Sequence, residues 1–290
     1  MSELPRRKMG KTGMRPRALG MGAAFVSRSS EAETIATVER ALELGIDYFD
    51  TYPGHAEERW GKALSGAERS SFYLQAKVGP HPDKPKDFSG ETTRWSVENS
   101  LRLLQVDYLD TVLVHDPFTI EDPLGPGRAF DELQKMKQEG LVRHIGLGVR
   151  EHDFHRAAIE AGHAEVILTF LDYTLIDQSV ARTTMPLAKK QGVGLILASV
   201  FGMGRLTGIE PNRVNEPQAH AMWMWCQEND VDIRHLAMQF CLDAPIDGIV
   251  MSGPADRSQL EDAYALATQE VPTDIWAEFE DEFGVGVSGG

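Results

Sequence analysis

Three ionisable residues stand at or near the ends of apolar runs in the first half of the chain. Asp50 closes IDYFD, Lys77 falls near the end of FYLQAKV, and His115 closes YLDTVLVH. A lysine inside such a run is costly unless it is paired. In an alternating β/α chain the carboxyl ends of parallel strands open on one face, so an ionisable group there faces a site more readily than a core. Singly, each residue reads as a surface salt bridge or a satisfied core histidine. Together, at the ends of successive strands, they point to proton-transfer chemistry over one shared mouth. Tyr52 and His55 follow Asp50 closely, and either side chain can donate a proton. Arg150 ends the next apolar run, and its guanidinium suits a carboxylate or a phosphate.

Positioning these groups requires strands, and the patterning supplies eight of them. Residues 5–22 predict a small hairpin leading into a strand at 18–22, with Gly10 and Gly13 punctuating the turn. Ser30 and Glu33 form a capping-box pattern, and Ile35, Val38, Ala41 and Leu42 recur at helical spacing until Gly45. Strands follow at 46–50, 72–78, 108–116, 144–149, 166–173, 194–200 and 248–253. Helices are predicted at 56–64, 93–104, 133–140, 154–161, 180–191, 217–242 and 258–267, with an extra terminal helix at 273–283. No composition break marks a linker. The expectation is one α/β domain over residues 1–290: a single (β/α)8 TIM barrel with an N-terminal β-hairpin and a C-terminal extra helix.

Composition narrows the partners. The 290 residues are 42% hydrophobic, and 29 basic against 44 acidic side chains leave a charge of −15. No Lys/Arg-rich run appears, which disfavours nucleic acid and anionic membranes and favours a small-molecule partner. Arg150, Arg205 and the Trp223/Trp225 cluster point to an oxygen-rich or acidic one. No apolar stretch approaches the roughly 20 residues of a membrane helix, and a cytoplasmic protein is expected. Cys226 and Cys241 fit reduced, packed thiols. His152 and His155 lie three apart, but a solvated helix cap is the plainer reading than a metal site. Met222, Trp223, Met224 and Trp225 read first as helix packing and second as a pocket wall.

At this point the sequence resembles the aldo-keto reductase superfamily. The matching pieces are RRKMGKTGMRPRALGMGAA, GIDYFDT, the E-x-x-x-G-x-A-L run ending at Leu64, AKVG, VENSLRLLQVDYLDTVLVHDP, GLVRHIGLG and the tail from Gly253 through VPTDIWAEF. VHDP, YTLIDQ, VFGMG and Trp276 resemble in particular its branch of aldose, L-galactose and pyridoxal dehydrogenases. The resemblance implies hydride transfer between NAD or NADP and a carbonyl or alcohol. It also implies a catalytic tetrad: a tyrosine that exchanges a proton with the substrate oxygen, a lysine and an aspartate that tune it, and a histidine that orients the substrate. Asp50, Lys77 and His115 match those positions. A phenol lowered by a neighbouring ammonium would donate near neutral pH. The tyrosine segment is shortened to Thr51-Tyr52-Pro53-Gly54-His55, so Tyr52 is favoured as the donor and His55 is the alternative.

The cofactor signature is altered. Val149 and Arg150 stand where the family commonly holds the carboxamide with Ser-Asn or Met-Asn. Phe170 replaces the expected glutamine, and Ala255, with Arg257 beyond it, replaces the arginine for a 2′-phosphate. Phe201, Gly202, Met203 and Gly204 form a glycine turn that backbone approach to a pyrophosphate would suit, and Ser252, Gly253 and Arg257 are further candidate cofactor contacts. Three functions stay open: a nicotinamide-dependent oxidoreductase on a sugar-like or other small carbonyl/alcohol substrate, a nicotinamide-independent lyase, dehydratase or isomerase on the same barrel, and a redox-silent binding or regulatory subunit. Substrate identity and oligomeric state are not encoded in any recognisable motif.

Overall fold

In a computed structural model of the chain, residues 3–54 and 56–287 are described. Eight parallel strands pair in sequence order and close into a barrel: β1 (Leu19–Gly22), β2 (Tyr48–Asp50), β3 (Tyr73–Val78), β4 (Leu109–His115), β5 (Val142–Gly148), β6 (Val166–Phe170), β7 (Gly194–Ala198) and β8 (Gly248–Ser252). Around them lie α1 (Glu31–Glu43), α2 (Ala56–Leu64), α3 (Gly90–Leu104), the single turn α4 (Glu121–Leu124), α5 (Ala129–Gln138), α6 (His152–Glu160), α7 (Thr184–Gln191), α8 (Pro217–Glu228), α9 (Ile233–Leu242), α10 (Arg257–Thr268) and α11 (Thr273–Phe283). Ser30 caps α1 by accepting from the Glu33 amide, as the pattern predicts, and α11 occupies 273–283.

The N-terminal hairpin is present as expected: Arg6 bridges Arg17 in antiparallel fashion, and Arg7 N–H donates to Pro16 O, Met9 N–H to Met14 O and Ala18 N–H to Pro5 O. Its tip turns down against the barrel floor, where Lys11 N–H donates to Gly192 O and Gly10 N–H to Asp247 O. Two helix expectations are corrected. The helix expected over 217–242 is two helices, because Asp230 takes φ +56° and Asp232 caps a new start at Ile233. The helix expected over 180–191 opens as a 3-10 turn and becomes α only at Thr184.

The strand period of two sorts the interior. Tyr48 and Asp50 of β2, Gln75 and Lys77 of β3, and Thr111, Leu113 and His115 of β4 share the inward face. Opposite them, Val166, Leu168, Ile196, Ile249 and Met251 form an apolar cluster that Met9 and Met14 of the hairpin close from below. A larger cluster between barrel and helices, including Phe49, Trp60, Leu74, Phe130 and Phe279, supplies most of the buried apolar surface. Gly146 and Gly148 on β5 are required by close approach. A Cβ on Gly146 would lie 2.5 Å from Leu113 Cδ2, and one on Gly148 would lie 3.0 Å from His115 Nδ1. Missing side chains on β5 therefore make room for the side chains of β4.

Candidate active site

The carboxyl ends of β2, β3 and β4 bring Asp50, Lys77 and His115 together. Lys77 Nζ donates to Asp50 Oδ1 at 2.5 Å and to the Thr51 carbonyl at 2.7 Å, with both side chains almost wholly buried. Asp50 Oδ1 also accepts from Gln75 Nε2 at 2.7 Å, and Gln75 Oε1 accepts from the Tyr48 hydroxyl at 2.9 Å. The ammonium is thus fixed by an ion pair and a carbonyl, as a buried charge requires.

Tyr52 leaves β2 immediately above this pair. Its ring is 5.6 Å from Lys77 Nζ and meets the His115 ring edge-on at 6.0 Å, while 41% of the residue stays exposed. Burial, with the Asp116 carboxylate adding to it, raises this phenol above the ordinary tyrosine value. The expectation of a phenol lowered by the lysine is therefore corrected: Lys77 is already committed to Asp50 and Thr51, and Asp116 stands on the phenol's other side. At neutral pH Tyr52 holds its proton and can donate it. His55 lies outside the described residues.

His115 Nδ1 lies 2.6 Å from the Gly148 carbonyl, which can only accept, so this nitrogen carries the ring proton. Burial, reinforced by Lys77, lowers the imidazole to about 3. The neutral ring then presents the Nε2 lone pair at the mouth, 3.4 Å from Asp116 Oδ2. Such an atom accepts from a hydroxyl. Asp116 itself takes φ +48°, and its carbonyl accepts from Lys86 Nζ. Burial raises its carboxyl above the usual range.

Around the rim, Arg150 pairs with Asp177 at 3.2 Å, so guanidinium and carboxylate sit side by side. Val149 is buried, and its carbonyl accepts from His155 Nε2 at 2.8 Å. His152 bonds Asp172 Oδ2 at 2.9 Å and Thr183, so both histidines are engaged with protein partners. Phe201–Gly204 forms a tight turn in which Gly202, Met203 and Gly204 take φ +60°, +55° and +101°, and Met203 is 63% exposed. Arg205 folds back onto the Gly202 carbonyl at 2.8 Å. Trp225 packs edge-on against Phe279 at 5.3 Å, which makes it helix packing, whereas Trp223 Nε1 ties α8 to the Gly208 carbonyl. Across the mouth, Ser252 is buried, and Glu33 Oε1 accepts the Arg257 N–H at 3.0 Å.

Sequence reading missed four residues. Gln75 was detectable as a polar residue two before Lys77 on the same strand face, and Asp116 as the neighbour of His115. Lys86 carries no local signal. Glu57, the first residue of E-x-x-x-G-x-A-L, is fully buried, and burial raises its carboxyl to about 7.

A polar cluster that can hand over and accept a proton, open at the carboxyl face of a parallel barrel, defines an acid/base (β/α)8 enzyme. Residues 18–281 match the Aldo/keto reductase family, and the chain belongs to it. It is similar to D-threo-aldose 1-dehydrogenase of a Pseudomonas species, at 29% identity over 90% of this chain and 92% of that protein. It is similar also to L-galactose dehydrogenase of Arabidopsis thaliana, at 31% identity over 93% of this chain and 90% of that one. An aldo-keto reductase of Bacillus halodurans, solved in its holo form, shares the fold with a TM-score of 0.80 at 23% identity, over 99% of this chain and 98% of that one. The chain is a nicotinamide-dependent oxidoreductase. No described helix is long and apolar enough to cross a membrane.

Proposed function

We propose that the chain moves a hydride between NAD and a sugar-like carbonyl or alcohol, with Tyr52 as the proton donor and acceptor. One observation carries the reading: Tyr52, Lys77 and His115 converge above Asp50, the phenol ring lying 6.0 Å from the imidazole and 5.6 Å from the ammonium. A nicotinamide, when bound, supplies or takes the hydride. The protein's task is the proton and the oxygen that carries it. Reduction builds negative charge on the carbonyl oxygen, which a protonated phenol beside an ammonium stabilises by donating. The Nε2 lone pair of His115 accepts from a substrate hydroxyl, which suits a polyol better than a simple aldehyde.

Arg150 and Asp177 fit the carboxamide. A guanidinium only donates, but the paired carboxylate accepts, so the two together offer what one amide side chain offers elsewhere. The glycine turn at 201–204 and Ser252-Gly253 suit the pyrophosphate. The preference for NAD rests on the cleft between the N-termini of α1 and α10, about 670 Å3 in volume. Glu33, Asp256 and Glu261 line it together with Arg257, whose backbone N–H donates to Glu33. A ribose 2′-hydroxyl donates to such carboxylates, whereas a 2′-phosphate meets three carboxylates against the one Arg257 guanidinium. A cytoplasmic location belongs to the same proposal.

The test is a titration of purified protein with NADH and with NADPH, followed by nicotinamide fluorescence, then oxidation assays on L-galactose, D-arabinose and pyridoxal. Saturable NADH binding, turnover of at least one sugar, and a Tyr52→Phe variant that binds NADH but does not turn over are expected. Absence of binding to either nucleotide at millimolar concentration would refute the proposal.

A further inference from the structure

Glu57 lies in the first turn of α2, and its side chain reaches back around the segment that carries Tyr52. Oε1 is 3.1 Å from the Thr51 hydroxyl, one residue before Tyr52. Oε2 accepts from the Gly54 N–H at 3.4 Å, two residues after it, and from the Ser100 hydroxyl of α3 at 3.0 Å. The bonds therefore bracket Tyr52 on both sides and tie the bracket to a neighbouring helix.

The Thr51 side is fixed further. Its N–H and hydroxyl lie 2.8 Å and 3.0 Å from the Gln75 carbonyl, and its own carbonyl accepts from Lys77 Nζ. Gly54 takes φ +121°, a conformation that only glycine adopts easily, so the turn depends on an external bond to hold its shape. Counting protons makes the bracket self-consistent. If Glu57 carries a proton on Oε1, it donates to Thr51, and Thr51 passes its own hydroxyl proton to Gln75 O. If Glu57 is ionised, Thr51 donates to it, and Gln75 O keeps the Thr51 N–H. Either state leaves every group paired, and a glutamine amide reproduces the bonding of the protonated one.

We propose that Glu57 is a positioning residue: by bridging Thr51, Gly54 and Ser100 it sets the turn that presents Tyr52 to Lys77 and His115. This rests on the reading of Tyr52 as proton donor. Glu57 touches no reacting atom, so its removal lowers kcat rather than nucleotide affinity.

The experiment compares Glu57→Gln, Glu57→Ala, Ser100→Ala, Tyr52→Phe and Glu57→Ala with Tyr52→Phe in the full chain. The readouts are kcat and KM for L-galactose or whichever panel sugar turns over, NADH affinity, and amide hydrogen exchange over residues 51–57. Glu57→Ala is expected to lower kcat on the order of 10–100-fold with NADH affinity changed less than threefold, and to speed exchange at residues 51–54. Glu57→Gln should keep at least a third of kcat and native exchange, and the double variant should be no slower than Tyr52→Phe alone. Should Glu57→Ala fail to fold, Ser100→Ala, expected to cost kcat about threefold with faster exchange in the same segment, carries the test. An active Glu57→Ala, or a Ser100→Ala with native exchange and kcat, beside an inactive Tyr52→Phe would overturn this proposal alone. A fully active Tyr52→Phe would instead remove the proton-donor reading and this proposal with it.

Discussion

Substituting Lys77 by methionine separates what the buried charge does for stability from what it does for chemistry. Lys77 and Asp50 are 5% and 10% exposed and 2.5 Å apart, and after the substitution Asp50 keeps, among the described residues, only the Gln75 amide as a side-chain donor. Breaking such a pair by removing one partner costs about 3–5 kcal/mol, because the remaining charge stays buried. At about 2.1 cal/mol/K per residue, the unfolding entropy of this chain near its midpoint is about 0.6 kcal/mol/K, so Tm should fall by roughly 5–8 °C. Adding Asp50→Asn removes the orphaned charge, and the Gln75 amide can still donate to the new side-chain oxygen. The double variant should therefore recover at least half of the lost Tm. It should recover none of the lost activity, since no ammonium then stands 5.6 Å from the Tyr52 ring. Calorimetry and steady-state kinetics on the wild type and the three variants complete the cycle. A Lys77→Met protein melting within about 2 °C of wild type, or a double variant with restored kcat, would refute the reasoning.

Other outcomes follow from the same geometry. Gly148→Ala puts a methyl group 3.0 Å from His115 Nδ1 and 3.1 Å from Leu113 Cδ1; it should cost about 1–3 kcal/mol by overpacking and lower kcat by displacing the imidazole, as read by urea unfolding and kinetics. Glu33→Gln should narrow the preference for NADH over NADPH by weakening the acidic face at α10, measured as the ratio of the two dissociation constants; an unchanged ratio would remove Glu33 from nucleotide selection. Glu57 is raised from 4.5 to about 7, so the native state binds the proton more tightly, and its contribution is present at pH 5 and lost as pH rises through 7. Relative to Glu57→Gln, the wild type should therefore lose roughly 2–4 kcal/mol between pH 5 and pH 9. His115 and His155 are lowered to about 3 and about 4, so they act in the opposite sense: the unfolded chain takes up protons first, and stability drops as pH falls below about 6.5.

The barrel was legible because its signal is repeated. Apolar runs ending in Asp50, His115 and Arg150 alternate with helical periods, and alternation of that kind has one common solution. Where the sequence misled, a specific contact outweighed the broader pattern. The helical period continues across 217–242, yet Asp230 turns left-handed and Asp232 finds the Arg234 amide, so the chain restarts instead of continuing. The lowered phenol failed for a similar reason. Sequence places Lys77 near Tyr52 but cannot tell that Asp50 and the Thr51 carbonyl have already engaged the ammonium. Glu57 was visible as part of a motif, but its burial depends on Ser100, 43 residues along the chain.

The distribution of polarity inside the barrel explains why the chemistry sits where it does. Polar side chains enter the interior from β2, β3 and β4, while β6, β7 and β8 contribute Val166, Leu168, Ile196, Ile249 and Met251. Buried polar groups without partners are costly, so those on one side must satisfy one another. They do so as one chain of bonds: Thr111 with the Tyr48 hydroxyl at 3.2 Å, Tyr48 to Gln75, Gln75 to Asp50, Asp50 to Lys77 and Lys77 to the Thr51 carbonyl. The Tyr48 hydroxyl fixes which end of the Gln75 amide faces upward, and that end supplies a donor to Asp50 before any ligand arrives. The ammonium is thus aimed from the middle of the barrel rather than by the substrate, which is the preorganisation that electrostatic catalysis needs. The inward side chains that β6, β7 and β8 contribute among the described residues, Val166, Leu168, Ile196, Ile249 and Met251, offer no acceptor, so the free hydrogen-bonding capacity of Tyr52 and His115 is directed outward, at the mouth.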